Sequence, residues 1–529
     1  MFRFVTPPAA EPGLLSRRLL LGGAAAALLP AAGRAFPGAQ PPALRPIVPP
    51  VVQAAIAASG LPATSFGLYV LPLRDAKPGV PLLPASNPRK SRLRALPPPW
   101  PQPLLMLNGD EPFQLASTTK LVTSLAALDL LGPQFRWQTQ AFTTGPLHEG
   151  KLLGYLVIVG GGDARLNIDS LRGWFRQLQA QGLQEVWGDI VLDRFAFRLT
   201  ETDYATTPTP SPERPHHARP DALMINEGVV HVAVNGSAAR RADVSLSPGL
   251  AGMRVVNEVT AGKGCSAWAQ VNRRDDGDSQ LVVRGQWSAA CGGREIGQFA
   301  LPHAEFTTRA VAGLWRDSGG KLVGRVLDRR TPEAAAVPMV AGTDAAPLVP
   351  LSSLPSEPLA VLLREMNKHS DNLAARNLLL SLVPGFPQRS ATLPAACARL
   401  QEWLAKQGLA KGDIEVDNGA GLSRAERGTP RAMVQLLRNG WHSKHAQLFF
   451  DSLPIAGVDG TLQMRMTTGV ATGRAHLKTG TLNDTRALAG YVRADGGRML
   501  ALVAIVNDAD ASRAMPALDA IVEWAVSNG

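Results

Sequence analysis

The chain of 529 residues has little cysteine, few aromatic residues and few long apolar runs. Its three cysteines and its histidines show no metal-ligand spacing, so the sequence does not favour a metal site. Aromatic residues make up 5% of the chain, and neither zinc-finger spacing nor an aromatic–basic RNA motif is present. The net charge of +11 is therefore not taken to indicate nucleic acid. It fits an anionic envelope polymer, a membrane surface or simply a composition that prefers arginine to lysine.

Beyond the first 35 residues, no stretch reaches the roughly 18 apolar residues of a membrane-spanning helix. Near the start, Arg17 and Arg18 precede an Ala-rich apolar run over residues 19–32, and small residues follow it. This order predicts a signal peptide of twin-arginine type over residues 1–35, with an uncleaved anchor as the alternative. We therefore expect an exported, periplasmic protein with at most peripheral membrane contact.

Export would place the cysteines in an oxidising compartment. Cys265 and Cys291 lie close in sequence, and a bridge between them would stabilise the fold by about 3–4 kcal/mol on chain-entropy grounds. Cys397 lies in a helical pattern and is predicted to be a small buried residue rather than a nucleophile.

The length predicts two or three domains. Residues 36–50 resemble a Pro-rich linker, and residues 76–103 a basic, Pro-rich exposed loop. Short strands between turn signals predict an inserted, strand-rich region over residues 143–345. The individual elements predicted from apolar spacing are helices at 51–59, 118–131, 359–368, 373–382 and 513–526, and strands at 65–73, 152–159, 188–192, 229–234, 476–482, 486–492 and 499–506.

The first motif with chemical content is the sequence STTK at residues 117–120. A serine hydroxyl needs a neighbouring base, and positions i and i+3 of a helix share a face, so Lys120 can reach Ser117. A helix start also offers N–H groups to a developing oxyanion. Lys120 acts as a base only if burial and nearby cations lower its pKa. Taken alone, the motif favours an ordinary helix N-cap for Ser117.

The second motif, SDN at residues 370–372, falls between two helical patterns. A loop there can present a hydroxyl and an amide to a cleft. Ser370 is a candidate to relay a proton to a leaving amine, and Asn372 to hold a substrate amide. The alternative is helix capping by Ser370 or Asp371.

The third motif, KTGT at residues 478–481, falls inside a strand pattern. Gly480 is expected to let a substrate backbone approach closely. Lys478 and the hydroxyls of Thr479 and Thr481 suit a terminal carboxylate, and the Thr481 N–H is a candidate second oxyanion donor. The alternative is an exposed strand with a surface lysine.

The three motifs in this order resemble those of the low-molecular-mass class C penicillin-binding proteins, the D-alanyl-D-alanine carboxypeptidase/endopeptidase family. Further similar blocks lie at residues 113–121, 160–163, 188–193, 417–424 and 453–462. The interval from Ser117 to Ser370 is far longer than a single-domain β-lactamase needs. The resemblance implies an α/β fold, with a DD-peptidase/β-lactamase-like domain of antiparallel sheet flanked by helices. Residues 51–142 and 346–529 would form that domain, interrupted by strand-rich accessory domains.

The resemblance also implies a serine-type D-Ala-D-Ala carboxypeptidase or DD-endopeptidase that acts on peptidoglycan peptides, needs no cofactor and is inhibited by β-lactams. Ser117 would attack the penultimate D-Ala carbonyl while Lys120 accepts its proton, and terminal D-Ala would leave with a proton supplied through Ser370. Water would then hydrolyse the ester. One alternative is a serine β-lactamase or esterase on the same fold, which rapid penicillin turnover would reveal. The other is a non-catalytic wall-binding protein, against which the intact motifs argue.

Overall fold

The computed structural model describes residues 46–73, 77–79, 101–207, 217–236, 242–273, 279–329 and 348–529. All of them belong to one compact unit, residues 46–529. The predicted signal peptide, most of the linker and most of the basic loop at 76–103 lie outside the described residues.

The helices and strands of the described residues are numbered in chain order. The helices are α1 (Pro50–Ser59), α2 (Thr119–Leu130), α3 (Ile168–Ala180), α4 (His303–Asp317), α5 (Leu359–His369), α6 (Asn372–Leu380), α7 (Leu393–Lys406), α8 (Pro430–Trp441), α9 (Ala446–Ser452) and α10 (Met515–Asn528). The strands are β1 (Phe66–Pro72), β2 (Leu105–Leu107), β3 (Phe113–Gln114), β4 (Gln138–Thr143), β5 (Leu147–His148), β6 (Lys151–Leu152), β7 (Leu156–Val159), β8 (Glu185–Val186), β9 (Ile190–Asp193), β10 (Val229–Asn235), β11 (Asp243–Ser247), β12 (Arg254–Ala261), β13 (Cys265–Arg273), β14 (Ser279–Trp287), β15 (Gly293–Ala300), β16 (Lys321–Leu322), β17 (Val326–Arg329), β18 (Val349–Pro355), β19 (Ile414–Glu415), β20 (Arg427–Gly428), β21 (Ala475–Leu482), β22 (Thr485–Arg493) and β23 (Met499–Asn507).

A five-stranded antiparallel sheet, in the order β2-β1-β23-β22-β21, joins the two ends of the described chain. Side chains alternate along β23, so that Leu500 and Leu502 enter one core while Ala501 and Val503 enter another. Helices α1 and α10 cover the first face, and α2 and α8 contribute to the core on the other. The predicted antiparallel sheet flanked by helices is confirmed, as are the three C-terminal strands and the closing helix.

The segment between β4 and β18 contains several smaller sheets. A five-stranded sheet has the order β17-β9-β7-β4-β18, and a four-stranded sheet the order β16-β8-β6-β5; α3 and α4 share a core with both. Two three-stranded sheets, β11-β10-β15 and β12-β14-β13, lie further along the chain. Because β18 pairs antiparallel with β4, the chain enters and leaves this segment on neighbouring strands.

The prediction of a single strand over residues 152–159 is wrong. Regular strand structure stops between β6 and β7, and the two strands belong to different sheets. Gly154 lies at the break, where a Cβ atom would come within 2.8 Å of the Gly145 nitrogen. This contact between backbones separates two apolar stretches that the sequence pattern merges.

The cysteine predictions have different outcomes. Cys265 and Cys291 form a disulfide with their Cα atoms 5.7 Å apart, which confirms the predicted bridge. Cys397 on α7 is half-buried rather than fully buried. Its surroundings still raise the pKa of the thiol to about 12, with desolvation as the main cause, so it is a poor nucleophile at neutral pH.

Candidate active site

Ser117 lies in a tight turn that connects β3 to α2. The turn spans residues 116–118 as a 3₁₀ helix, and Ala116 takes a left-handed backbone conformation with φ of 45°. A non-glycine residue in this region is uncommon and marks a turn held by its surroundings. Ser117 is half-buried while Thr118 and Thr119 are buried, so the turn brings Ser117 to the edge of the core.

Lys120 is fully buried at the start of α2, one turn after Ser117. Its Nζ donates to the Oγ of Ser117 at 3.0 Å, to the Oδ1 of Asn372 at 2.7 Å and to the carbonyl of Ala420 at 2.6 Å. Burial lowers the pKa of Lys120 to about 7, against the opposing charges of Asp371 and Glu426. The sequence predicts that burial and nearby cations together lower this pKa; burial is the main cause, and the two charges named here are anions that raise it.

Residues 370–372 connect α5 to α6. Ser370 ends α5 in a left-handed conformation with φ of 59°, and Asp371 caps α6 by accepting from the Ala374 N–H at 3.0 Å. The capping alternative is therefore correct for Asp371, and it is compatible with presentation of the neighbouring side chains. Asn372 turns towards Lys120, whereas Ser370 accepts a hydrogen bond from the Nζ of Lys478 at 2.8 Å.

The KTGT sequence occupies β21, the last strand of the five-stranded sheet. Lys478 is fully buried, Thr479 half-buried and Thr481 exposed. Burial lowers the pKa of Lys478 well below its usual value, and the charge of Lys120 lowers it further. The surface-lysine alternative for Lys478 is wrong.

Gly480, which the sequence predicts to leave room for a substrate backbone, also lies close to the turn that carries Ser117. A Cβ atom there would lie 3.0 Å from the Leu115 carbonyl oxygen and 3.1 Å from the Ala116 Cβ. The glycine thus lets β21 approach the turn that carries Ser117, in addition to any room it leaves for a substrate.

Three groups at the site were not predicted from the sequence. The Ala420 carbonyl binds Lys120, the Oγ1 of Thr461 hydrogen-bonds that of Thr479 at 2.8 Å, and the buried Glu426 lies behind the loop of residues 417–421. Ala420 and Thr461 fall in blocks whose similarity to the family is visible in the sequence, but similarity alone gives them no role.

Among the described residues, no helix is long and apolar enough to cross a membrane. The same residues contain no cluster of three or more histidine, cysteine, aspartate or glutamate side chains placed to hold a metal ion.

A serine, a buried lysine one turn later and a second buried lysine on the adjoining strand define the class of serine hydrolases that use lysine in place of a histidine. Residues 101–528 match the D-Ala-D-Ala carboxypeptidase 3 (S13) family, and the chain belongs to that family. It is a serine DD-peptidase of the low-molecular-mass class C penicillin-binding proteins, as the sequence predicted.

Relatives from two organisms agree with this assignment. The chain is 26% identical over 415 residues to the D-alanyl-D-alanine carboxypeptidase DacB of Haemophilus influenzae, covering 76% of this chain and 81% of the relative. It is 28% identical over 423 residues to the D-alanyl-D-alanine carboxypeptidase of Actinomadura sp. R39, covering 76% of this chain and 74% of the relative.

The fold also resembles a solved structure. The crystal structure of penicillin binding protein 4 from H. influenzae superposes with a TM-score of 0.68 at 21% identity, covering 90% of this chain and 99% of that one. The similarity shows that the two chains share a fold.

Proposed function

We propose that Ser117 is the nucleophile and Lys120 the base of an acylation reaction. The Oγ of Ser117 attacks the carbonyl carbon of the penultimate D-Ala, and its proton passes to the Nζ of Lys120, 3.0 Å away. A single observation carries the proposal: Lys120 is fully buried with a pKa of about 7 and is hydrogen-bonded to Ser117 and Asn372. A lysine in this state can accept a proton near neutral pH.

The leaving amine needs a proton when its bond to the carbonyl carbon breaks. Ser370 is suited to supply it from its hydroxyl, because the Nζ of Lys478 donates to the Ser370 Oγ and can replace the proton. Water then attacks the ester and releases Ser117. In this assignment Asn372 orients the substrate amide, while Lys478, Thr479 and Thr481 bind the terminal carboxylate and Gly480 keeps β21 close to the nucleophile.

The proposed substrates are peptidoglycan stem peptides and cross-links, with β-lactams as acylating inhibitors. Both curated relatives are named D-alanyl-D-alanine carboxypeptidases. A second crystal structure of the H. influenzae protein, with a TM-score of 0.57, holds a β-lactam. Carboxypeptidase and endopeptidase activity require the same acyl-enzyme and differ only in the leaving amine, so we propose both as candidate reactions.

We further propose that the enzyme is exported to the periplasm and that residues 143–345 are accessory domains inserted in the penicillin-binding domain. Arg17 and Arg18 ahead of an apolar run support export, as does the disulfide between Cys265 and Cys291. The pairing of β4 with β18 supports the insertion, because the two strands bring its ends together.

The test is to incubate the purified protein with a fluorescent penicillin and follow the formation and decay of the adduct. We expect stoichiometric, slowly decaying labelling that Ser117→Ala abolishes. Ser170→Ala, at an exposed position on α3, should label like the wild type. Labelling retained in Ser117→Ala would refute the nucleophile, and rapid penicillin turnover would indicate a β-lactamase.

A further inference from the structure

Glu426 is a completely buried carboxylate with no place in the reaction described so far. It satisfies four backbone donors of a single loop, residues 417–421. Its Oε1 accepts from the N–H groups of Asp417 at 3.2 Å, Asn418 at 2.9 Å and Gly419 at 2.7 Å, and its Oε2 accepts from Gly421 at 2.7 Å. Burial of a carboxylate is costly, and such groups persist where hydrogen bonds offset the lost hydration.

The loop that Glu426 holds lies against the nucleophile turn and α2. The Ala420 carbonyl accepts from Lys120, and the Gly419 carbonyl accepts from the Oγ1 of Thr123 at 2.7 Å. Gly421 has φ of 86° and packs so closely on Ala116 that any side chain would overlap the Ala116 carbonyl. The loop therefore fills the space between Glu426 and the lysine that faces Ser117.

Three charged groups act on Lys120 from neighbouring parts of the chain. Asp371 faces it from the start of α6, Glu426 from behind the 417–421 loop and Lys478 from β21. The two carboxylates raise the pKa of Lys120 and so oppose the effect of burial. Burial raises the pKa of Glu426, and the hydrogen bonds from the loop N–H groups oppose that effect by favouring the carboxylate. Asp417 and the buried Arg376 of α6 also lie near it.

We propose that Glu426 is a positioning residue for acylation: it holds the Ala420 carbonyl against the Nζ of Lys120 and supplies the buried negative charge that balances the ammonium formed there. The ammonium forms when the proton of the Ser117 hydroxyl moves to Nζ. The inference rests on the proposed function, because it requires Lys120 to be the base.

The test compares Glu426→Gln with the wild type in the rate of acylation by a fluorescent penicillin from pH 5 to pH 9. In the variant the amide oxygen can accept as Oε1 does, but the NH₂ group cannot accept from Gly421. We expect the rate to fall roughly 10–100-fold, since small misplacements of catalytic groups cost about 100-fold. Loss of a negative charge lowers the pKa of Lys120. The acid limb, the low-pH side of the rate profile on which the rate rises with pH, should therefore move to lower pH.

Two further variants control the test. Glu415→Gln, at an exposed position on β19, removes the same charge from the surface and should match the wild type. Glu426→Asp keeps the charge but shortens the side chain, so it should lower the rate and leave the acid limb in place.

The outcomes separate this inference from the function on which it rests. A wild type that penicillin does not label refutes the proposed function itself. If penicillin labels the wild type and Glu426→Gln has the same rate and the same acid limb, only the positioning role is refuted. An acid limb that stays in place refutes that role as well, even where the rate falls. If Glu426→Gln does not fold, a wild-type rate in Glu426→Asp has the same meaning.

Discussion

At the scale of single residues, the candidate base owes its properties to burial. Lys120 has lost its hydration, and three acceptors in the protein replace water around Nζ. An ammonium is penalised more than an amine in such surroundings, so the pKa falls to about 7. The same lysine in water would be almost wholly protonated at that pH and unable to accept a proton.

Because only the neutral amine can accept the Ser117 proton, we expect the acylation rate to fall about tenfold per pH unit below pH 7. Above that pH the rate should level off. The measurement is the second-order rate constant for penicillin labelling, with Lys411→Ala at an exposed position as a control that keeps the profile. A rate independent of pH between 5 and 8 would contradict the assignment of Lys120 as the base.

The motif residues could be predicted because, within each motif, the side chains that carry the chemistry lie within four consecutive residues. The sequence placed Ser117, Lys120, Ser370, Asn372 and Lys478 in one set, and the structure brings them into two hydrogen-bonded groups. The role of Glu426 could not be predicted, because its partners are backbone N–H groups. Almost every residue has such a group, so the sequence does not mark which ones a carboxylate will bind. The same holds for the Ala420 carbonyl.

At the scale of elements, the loop before the KTGT strand is held by an ion pair between the buried Lys368 and the half-buried Asp459. The Nζ of Lys368 on α5 donates to the Leu453 carbonyl at 2.6 Å and to both oxygens of Asp459, at 2.6 and 2.8 Å. Asp459 in turn accepts from the Ile455 N–H at 2.9 Å. The loop continues to Thr461, which contacts Thr479, so the pair links α5 to the proposed carboxylate site.

We expect Lys368→Met to destabilise the protein by about 1–3 kcal/mol. The loss should fall below that of a fully buried pair because the side chain of Asp459 is 34% exposed and remains partly hydrated. Urea denaturation measures the loss, with Lys444→Met at an exposed position as the matched control. Equal stability of the two variants would show that the pair contributes nothing.

Elements were predicted best where burial follows a simple period. Along β23, alternate residues face two different cores, and the strand was found from the sequence almost to its ends. The prediction failed at residues 152–159, where both halves of the stretch are apolar and the backbone of Gly154 packs against those of Gly145 and Gly188. Such a contact between distant backbones leaves no periodic trace in the sequence.

At the scale of the whole molecule, the residues proposed for acylation come from the two parts of the described chain that flank the segment between β4 and β18. Ser117 and Lys120 precede the segment between β4 and β18, while Ser370, Asn372 and Lys478 follow it. Ala164, Phe197 and Met224 of that segment enter the core shared with α2 and α6, whereas β10, β12 and β14 have a core of their own. We therefore expect the stability of these three strands and the chemistry at the site to respond separately to substitution.

The disulfide between Cys265 and Cys291 provides the test of that separation. It joins the start of β13 to the turn after β14, with a sequence separation of 26. Loss of the bond should lower the stability by about 3–4 kcal/mol by chain entropy. This loss of stability should be the same in Cys265→Ser, Cys291→Ser and the double variant, because the bond needs both residues. Hydrogen exchange in β12, β13 and β14 measures the loss, and the rate of penicillin labelling at 25 °C should remain that of the wild type. A labelling rate that falls together with protection of these strands would show instead that the segment and the active site form one cooperative unit.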